Sequence, residues 1–267
     1  MKKYGFTLAE VLIALGIIGV ISSLTAPTFI ASIQNSSNAA RLAAAVSTLE
    51  NGFTTMIAKE GVDSEDLLFD TEAWEDTNVR NNQRFAGLIG NYINITGFER
   101  NVASEVAYYN SNGPYGLNTN GSRQSRINGT LELLHEDDAT YEHILTLKSG
   151  ATLFFVTMRN LEPSDAEIDS IKSRGGALFK PAAKITIDVN GKNAPNTLGR
   201  DIFIFYLGHN GKLYPWGGKD ESLFSNGGDG RLWSSNTSAI RCLDNNIRLN
   251  GLGCTGRVVA EGYKINY

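Results

Sequence analysis

Cysteine, histidine and proline are scarce in this chain of 267 residues, which contains two, three and six of them respectively. Two cysteines cannot build the disulfide framework of a small secreted scaffold, and they supply only half of the ligands of a zinc site. Excess positive charge is also missing, since the formal net charge is −4. General nucleic-acid binding is therefore not expected. The length predicts one domain, or two at most.

Long hydrophobic runs are rare too, but there is one at the N-terminus. It extends from Phe6 to Phe29, and Glu10 is its only charged residue. A helix of about 20 apolar residues spans a bilayer, so this run is long enough to cross one. Lys2 and Lys3 precede it and are expected to stay on the cytoplasmic side.

Two ordinary explanations of this run fit poorly. A secretory signal peptide cleaved after Ala26 would have Leu24 at the third-last position of its site and Pro27 just beyond it, which departs from the small-residue pattern. An uncleaved signal anchor explains the length and the lysines, but it leaves the carboxylate of Glu10 without a partner. An acid in an apolar span is expensive, even near its edge.

The ten residues from Gly5 to Ala14, GFTLAEVLIA, closely resemble the prepilin leader motif of type IV pilins and type II secretion pseudopilins. The resemblance implies cleavage between Gly5 and Phe6 by a prepilin peptidase and N-methylation of Phe6. It also implies that Glu10 pairs with the N-terminal amine of a neighbouring subunit during assembly. Cleavage would remove both lysines and leave the amine of Phe6 one helical turn from Glu10, which also complements the dipole of the helix.

The helical pattern continues beyond the apolar run. Apolar residues recur largely at spacings of three and four from residue 30 to residue 57. They are Ile30, Ile33, Leu42, Val46, Leu49, Phe53, Met56 and Ile57. We predict one helix from about Phe6 to about Lys59, on the order of 80 Å long, with a stop at Gly61 and a kink at Pro27. Its second half, residues 30–60, should hold the head on its apolar stripe.

Residues 61–267 are predicted to form an extracytoplasmic globular head. Residues 83–92 are compatible with a short helix, and residues 110–129 are rich in Asn, Gly and Ser and predict a loop. Short strand-like runs separated by turns then predict an antiparallel sheet packed on the helix, an α+β fold. These runs are Ile144–Leu147, Thr152–Thr157, Ala183–Asp188, Asp201–Leu207 and Lys212–Tyr214, and residues 262–267 look like a final strand.

Two further sets of residues are candidate sites. Asp188, Asn190 and Asp201 can supply oxygen ligands to calcium, although the same residue types also close turns on their own backbone. Pilin-like proteins often carry a C-terminal disulfide loop, and the resemblance therefore implies a bond between Cys242 and Cys254. Two free thiols and half of a metal site remain alternatives. Apart from calcium, no cofactor is predicted.

No catalytic motif is apparent. His135, His143 and His209 do not occur in an H-E-x-x-H pattern, and no serine lies in a G-x-S-x-G elbow. The sequence is interpreted as a non-enzymatic pilus or pseudopilus subunit. Its partners are the peptidase and methyltransferase, other such subunits and the membrane. We expect a single span in the bacterial cytoplasmic membrane, with the assembled product a surface pilus or a periplasmic pseudopilus. The alternative is a signal-anchored enzyme or binding protein that does not polymerise.

Overall fold

The computed structural model of the protein describes a long helix and a sheet-based head. The described residues are 7–60, 89–100, 142–157, 181–191, 193, 198–208, 210–218, 242 and 253–266. Residues 1–6, the predicted loop at 110–129 and two of the three histidines lie outside them. Of the short helix predicted at 83–92, residues 89–92 are described, and they are helical.

Helix α1 runs without a break from Leu8 to Glu60, close to the predicted bounds, with Pro27 inside it. Thr7 is its N-cap, and Thr7 and Glu10 together form a capping box. At 53 residues the helix is on the order of 80 Å long. Gly61, the predicted stop, lies outside the described residues.

Six antiparallel strands form one sheet in chain order, so each strand pairs with its neighbours in the sequence. The strands are β1 (Ile95–Arg100), β2 (Glu142–Leu147), β3 (Thr152–Thr157), β4 (Pro181–Asp188), β5 (Ile202–Gly208) and β6 (Leu213–Pro215). Five of them match the predicted runs to within two residues. Strand β1 was not predicted, because ITGFER has an interior glycine and no clear apolar alternation.

The core lies between the sheet and the second half of α1. Leu42, Leu49 and Phe53 are fully buried against alternate residues of the strands, and the rings of Phe53 and Phe155 meet edge to face with centroids 6.2 Å apart. The predicted α+β packing is therefore confirmed. Residues on the opposite face of the sheet are also buried, among them Ile144, Phe154, Thr186, Ile202, Ile204 and Tyr206.

The head-binding stripe begins later than the spacing of apolar residues predicts. Ile30 and Ile33 are each 54% exposed, whereas Ala39 and Leu42 are buried. Periodicity identifies an apolar face but cannot show where the neighbour that covers it begins. Residues 8–34 thus form a continuous stretch of α1 that the described part of the head does not cover.

The strand predicted at residues 262–267 is wrong, because the described residues 262–266 follow a short helix and are not in a strand. Helix α2 spans Cys254–Ala260, and no strand occurs among the described residues that follow it. Gly262 and Tyr263 both have positive φ, at 69° and 59°. The N–H groups of these two residues bond to the carbonyls of Val259 and Val258, which is the Schellman arrangement that ends a helix. The apolar and aromatic residues of this tail pack as a helix cap, which explains the wrong strand prediction.

Candidate functional site

The first half of α1 is apolar and exposed on all sides. Among the described residues, α1 is the one helix long and apolar enough to cross a membrane, and none of its most apolar stretch is buried in the protein. Leu8 is 79% exposed and Leu24 is 71% exposed. A helix that is apolar around its whole circumference is stable in lipid or among similar helices, because exposing its apolar surface to water costs free energy.

Three hydroxyl groups within this half donate to carbonyls of the helix itself. Ser23 donates to the carbonyl of Val20 at 2.8 Å, and Thr25 donates to the carbonyl of Ile21 at 2.9 Å. Thr28 donates likewise to the carbonyl of Thr25. A polar group without a partner is expensive in hydrocarbon. These residues are therefore compatible with a bilayer.

Glu10 lies in the first turn of α1, where Thr7 holds its carboxylate. The backbone N–H and the hydroxyl of Thr7 each donate to Oε2 of Glu10 at 2.8 Å. In return, the backbone N–H of Glu10 donates to Oγ1 of Thr7 at 3.3 Å. This reciprocal cap fixes the acid at the start of the helix and leaves its second oxygen, Oε1, outside these bonds. Gly5 and Phe6 lie outside the described residues, and their roles in cleavage and methylation stay predictions.

The head first meets α1 at two asparagines. Nδ2 of Asn35 donates to the carbonyl of Ile265, and its Oδ1 accepts a bond from Nη1 of Arg200. Asn38 donates to the carbonyl of Arg200 at 3.2 Å. The loop before β5 and the tail after α2 are thereby joined to the helix where the exposed half ends. The uncovered length, residues 8–34, is about 40 Å at the usual helical rise, close to a bilayer with its headgroups.

Higher on the helix, the hairpin of β5 and β6 holds the other end of the buried stripe. Oε1 of Glu50 accepts a bond from the N–H of Leu213 at 3.0 Å. Gly211 adopts a φ of 76°, and a Cβ there would lie 2.9 Å from the backbone nitrogen of Thr54. A side chain at residue 211 would push the hairpin off the helix. Polar contacts at both ends of the stripe thus fix the helix on the head.

Cys242 and Cys254 form a disulfide, with Cα atoms 4.9 Å apart. The bond ties residue 242 to the first residue of α2. The next residue of the helix, Thr255, accepts a hydrogen bond through Oγ1 from the N–H of Ile204 in β5 at 2.9 Å. The disulfide prediction is confirmed. The bond holds in place the helix whose Thr255 accepts the N–H of Ile204 in β5.

The three residues of the calcium prediction are brought together by the turn after β4. Asp188 and Asp201 are fully buried. The N–H of Asn190 donates to Oδ1 of Asp188, and its Nδ2 donates to Oδ2 of Asp201, both at 3.2 Å. The bond to Asp188 is the turn-closing pattern that the sequence offered as the alternative, and the bond to Asp201 joins this turn to the loop before β5. No group of three His, Cys, Asp or Glu side chains occurs within the described ranges. Calcium binding stays a prediction.

Comparison with known proteins identifies the N-terminal segment. Residues 1–26 match the family model described as the prokaryotic N-terminal methylation motif, the prepilin-type cleavage and methylation motif of type IV pilins and pseudopilins. No curated protein and no solved structure matches the chain significantly. The motif supports a pilin-like or pseudopilin precursor, and the α+β architecture with one long N-terminal helix is consistent with it.

Proposed function

We propose that the protein is a structural subunit of a type IV pilus or of a type II secretion pseudopilus. The observation that carries this proposal is the methylation motif at residues 1–26, which lies on a helix whose first half is apolar and is not covered by the described part of the head. A precursor with this arrangement is stored in the membrane through α1 and then packs the same surface against the helices of other subunits. Among the described residues, only α1 offers such a surface.

The proposed processing gives Glu10 a partner. Cleavage between Gly5 and Phe6 removes Lys2 and Lys3, and the α-amine of Phe6 becomes the nearest cation. In the single chain, Oε2 of Glu10 is bonded by Thr7, and Oε1 is outside those bonds. An amine of an adjacent subunit can therefore approach without breaking the cap. Such a buried pair adds little net stability but fixes the register between helices.

The proposed location follows from the length of the exposed part of α1, residues 8–34. About 40 Å of helix precedes the first contact with the head, so the head would rest at the membrane surface and not within it. We place the head outside the cytoplasm, with a single span in the cytoplasmic membrane. The partners are a prepilin peptidase with methyltransferase activity and other subunits of the same class.

The alternative is an anchored extracytoplasmic enzyme or binding protein that does not polymerise. This alternative predicts that the protein stays monomeric in the membrane, whether or not its leader is cleaved. We would co-express the chain with a prepilin peptidase and an assembly system, shear the cells and pellet the filaments. The wild type should appear in the pellet, and Gly5→Glu, which blocks cleavage, should remain in the membrane. Equal membrane retention of both, with full cleavage of the wild type, would favour the alternative.

A further inference from the structure

The tripeptide Asn94-Ile95-Thr96 fits the N-x-S/T pattern of an acceptor for N-linked glycosylation. The same pattern begins at Asn35, Asn120, Asn128 and Asn236. The last three of these lie outside the described residues. A pattern this short also occurs by chance, so the surroundings of Asn94 and Asn35 decide whether either residue can serve as an acceptor.

Asn94 lies at the surface between a helical segment and β1. Its backbone is fixed, because its carbonyl accepts the N–H of Lys148 at 3.0 Å and the next residue, Ile95, packs against the core. Its side chain is exposed, and no hydrogen bond joins it to another residue in the described part of the chain. The amide of Asn94 is therefore held in place and accessible.

Thr96, the third residue of the pattern, is exposed at an interruption of the sheet. The ladder pairs Ile95 with Leu147 and Gly97 with Thr146. Thr96 is therefore the extra residue of a β-bulge. Its hydroxyl donates to the carbonyl of Thr146 at 3.3 Å, whereas such bonds are typically about 2.8 Å long. A transferase that recognises the hydroxyl of Thr96 breaks only this long bond.

Asn35 is in the opposite situation. Its Nδ2 donates to the carbonyl of Ile265, and its Oδ1 accepts a bond from Arg200. It also lies inside α1, where the head begins. A sugar on Nδ2 would displace a contact that joins the head to the helix. Of these two asparagines, Asn94 is the one whose amide is available.

We infer that Asn94 is an acceptor site for N-linked glycosylation on the side of the membrane that carries the head. The donor is a sugar joined through C1 to a polyprenyl diphosphate. Nδ2 of Asn94 forms a bond to C1, and the bond from C1 to the diphosphate oxygen breaks. The diphosphate leaves with that electron pair, and Nδ2 loses one proton. The inference goes beyond the proposed function, but it rests on the proposed placement of the head outside the cytoplasm.

A sugar at Asn94 is compatible with the proposed assembly. A Cβ at Gly52 would lie 2.3 Å from Cγ1 of Ile93, so Asn94 lies beside α1 near residue 52. Residue 52 is about 27 Å along the helix from residue 34, where the uncovered stretch ends. The sugar would therefore stay clear of that stretch. It would instead stand at β1, the last strand on one side of the described sheet, where a bulky polar group hinders pairing with another sheet edge.

The test is peptide mass spectrometry of the full-length protein purified from the cells that produce it naturally. Trypsin should release residues 85–100 as one peptide, because Arg84 and Arg100 bound it. This peptide should carry the added mass of one or more sugars. Fragmentation should place that mass on Asn94 and not on Asn91, and the peptide that contains Asn35 should be unmodified.

Variants produced in the same cells test the pattern. Asn94→Gln and Thr96→Val should each abolish the added mass, whereas Thr96→Ser should retain it because the hydroxyl is kept. The matched control is Asn91→Gln, which changes an exposed asparagine of the same peptide outside the pattern and should leave the modification in place.

An unmodified peptide 85–100 in the wild type would overturn the inference. So would added mass that survives Asn94→Gln, or equal modification of Asn35. The N-terminal peptide of the same sample separates this failure from that of the proposed function. A chain that begins at methylated Phe6 with an unmodified Asn94 would overturn only the glycosylation site, whereas an intact Met1 would contradict the proposed function.

Discussion

Thr7 and Glu10 cap each other at the start of α1. The hydroxyl and the backbone N–H of Thr7 hold one oxygen of the carboxylate, and the hydroxyl oxygen accepts the N–H of Glu10. Glu10 therefore has a structural role within one chain, in addition to the pairing proposed between chains. A single substitution to alanine removes both roles at once, so separating them requires a more conservative change.

Glu10→Gln separates the cap from the charge. Glutamine at this position still completes a capping box, but it cannot form an ion pair. We expect both Glu10→Gln and Glu10→Ala to insert into the membrane and to yield few sheared filaments, whereas only Glu10→Ala should weaken the start of the helix. Amide exchange of residues 8–11 reports the cap, and filament yield reports assembly. Wild-type filament yield from Glu10→Gln would show that the ion pair is not needed.

Thr255 caps the edge of β5 where β6 ends. Trp216, just after β6, donates its N–H to the carbonyl of Ile204, but the carbonyl of Trp216 accepts the N–H of Gly256. The N–H of Ile204 donates instead to Oγ1 of Thr255. Thr255→Val should leave a buried N–H unsatisfied and lower the free energy of unfolding by about 1–3 kcal/mol. Amide exchange at Ile204 should accelerate.

Thr255→Ser is the control for that prediction, because it keeps the hydroxyl and removes only a methyl group. The amide of Ile204 should stay protected in the serine variant. If the amide of Ile204 exchanges as slowly in Thr255→Val as in the wild type, the hydrogen bond to Thr255 does not protect that amide.

Tyr263 makes stability sensitive to alkaline pH. Burial, and then the negative charge of Glu50, raise the pKa of Tyr263 above its usual value near 10. The folded protein therefore holds the phenol proton more tightly than the unfolded chain. The resulting stabilisation is complete below about pH 10 and is lost as the pH rises through the pKa of the folded state. Urea unfolding of the wild type should weaken more steeply above about pH 10 than that of Tyr263→Phe. Parallel pH profiles would contradict this.

Calcium binding at Asp188, Asn190 and Asp201 has a direct test. If these residues hold calcium, the ion should raise the melting temperature by mass action, a chelator should reverse the rise, and Asp201→Asn should abolish it. Magnesium serves as the control cation, because it prefers smaller and more regular sites. If calcium does not change the melting temperature, these residues do not bind the ion, and their role is the hydrogen bonding that the structure describes.

The elements that could be predicted from the sequence have strong local patterns. Strand β3 lies between turn residues and matches its predicted bounds, and α1 matches to within a few residues because its periodicity is long. Helix α2 could not be predicted. Its seven residues, CTGRVVA, include a glycine and two valines, which are poor helix formers, so the disulfide and tertiary packing stabilise it.

That packing depends on a close approach of two backbones. A Cβ at Gly256 would lie 2.3 Å from the carbonyl carbon of Gly217, and the N–H of Gly256 donates to the carbonyl of Trp216. Such a contact joins residues forty positions apart and leaves no local pattern. The roles of Asn35 and Asn38 could not be predicted for the same reason. Both are ordinary polar residues in the sequence, and their partners, Arg200 and Ile265, are far away along the chain.

The mature N-terminus tests the central claim most directly. Mass spectrometry of the protein purified from cells with a prepilin peptidase should find a chain that begins at N-methylated Phe6, without residues 1–5. A chain that keeps Met1, or one that begins after Ala26, would contradict the processing on which the pilin-like account depends.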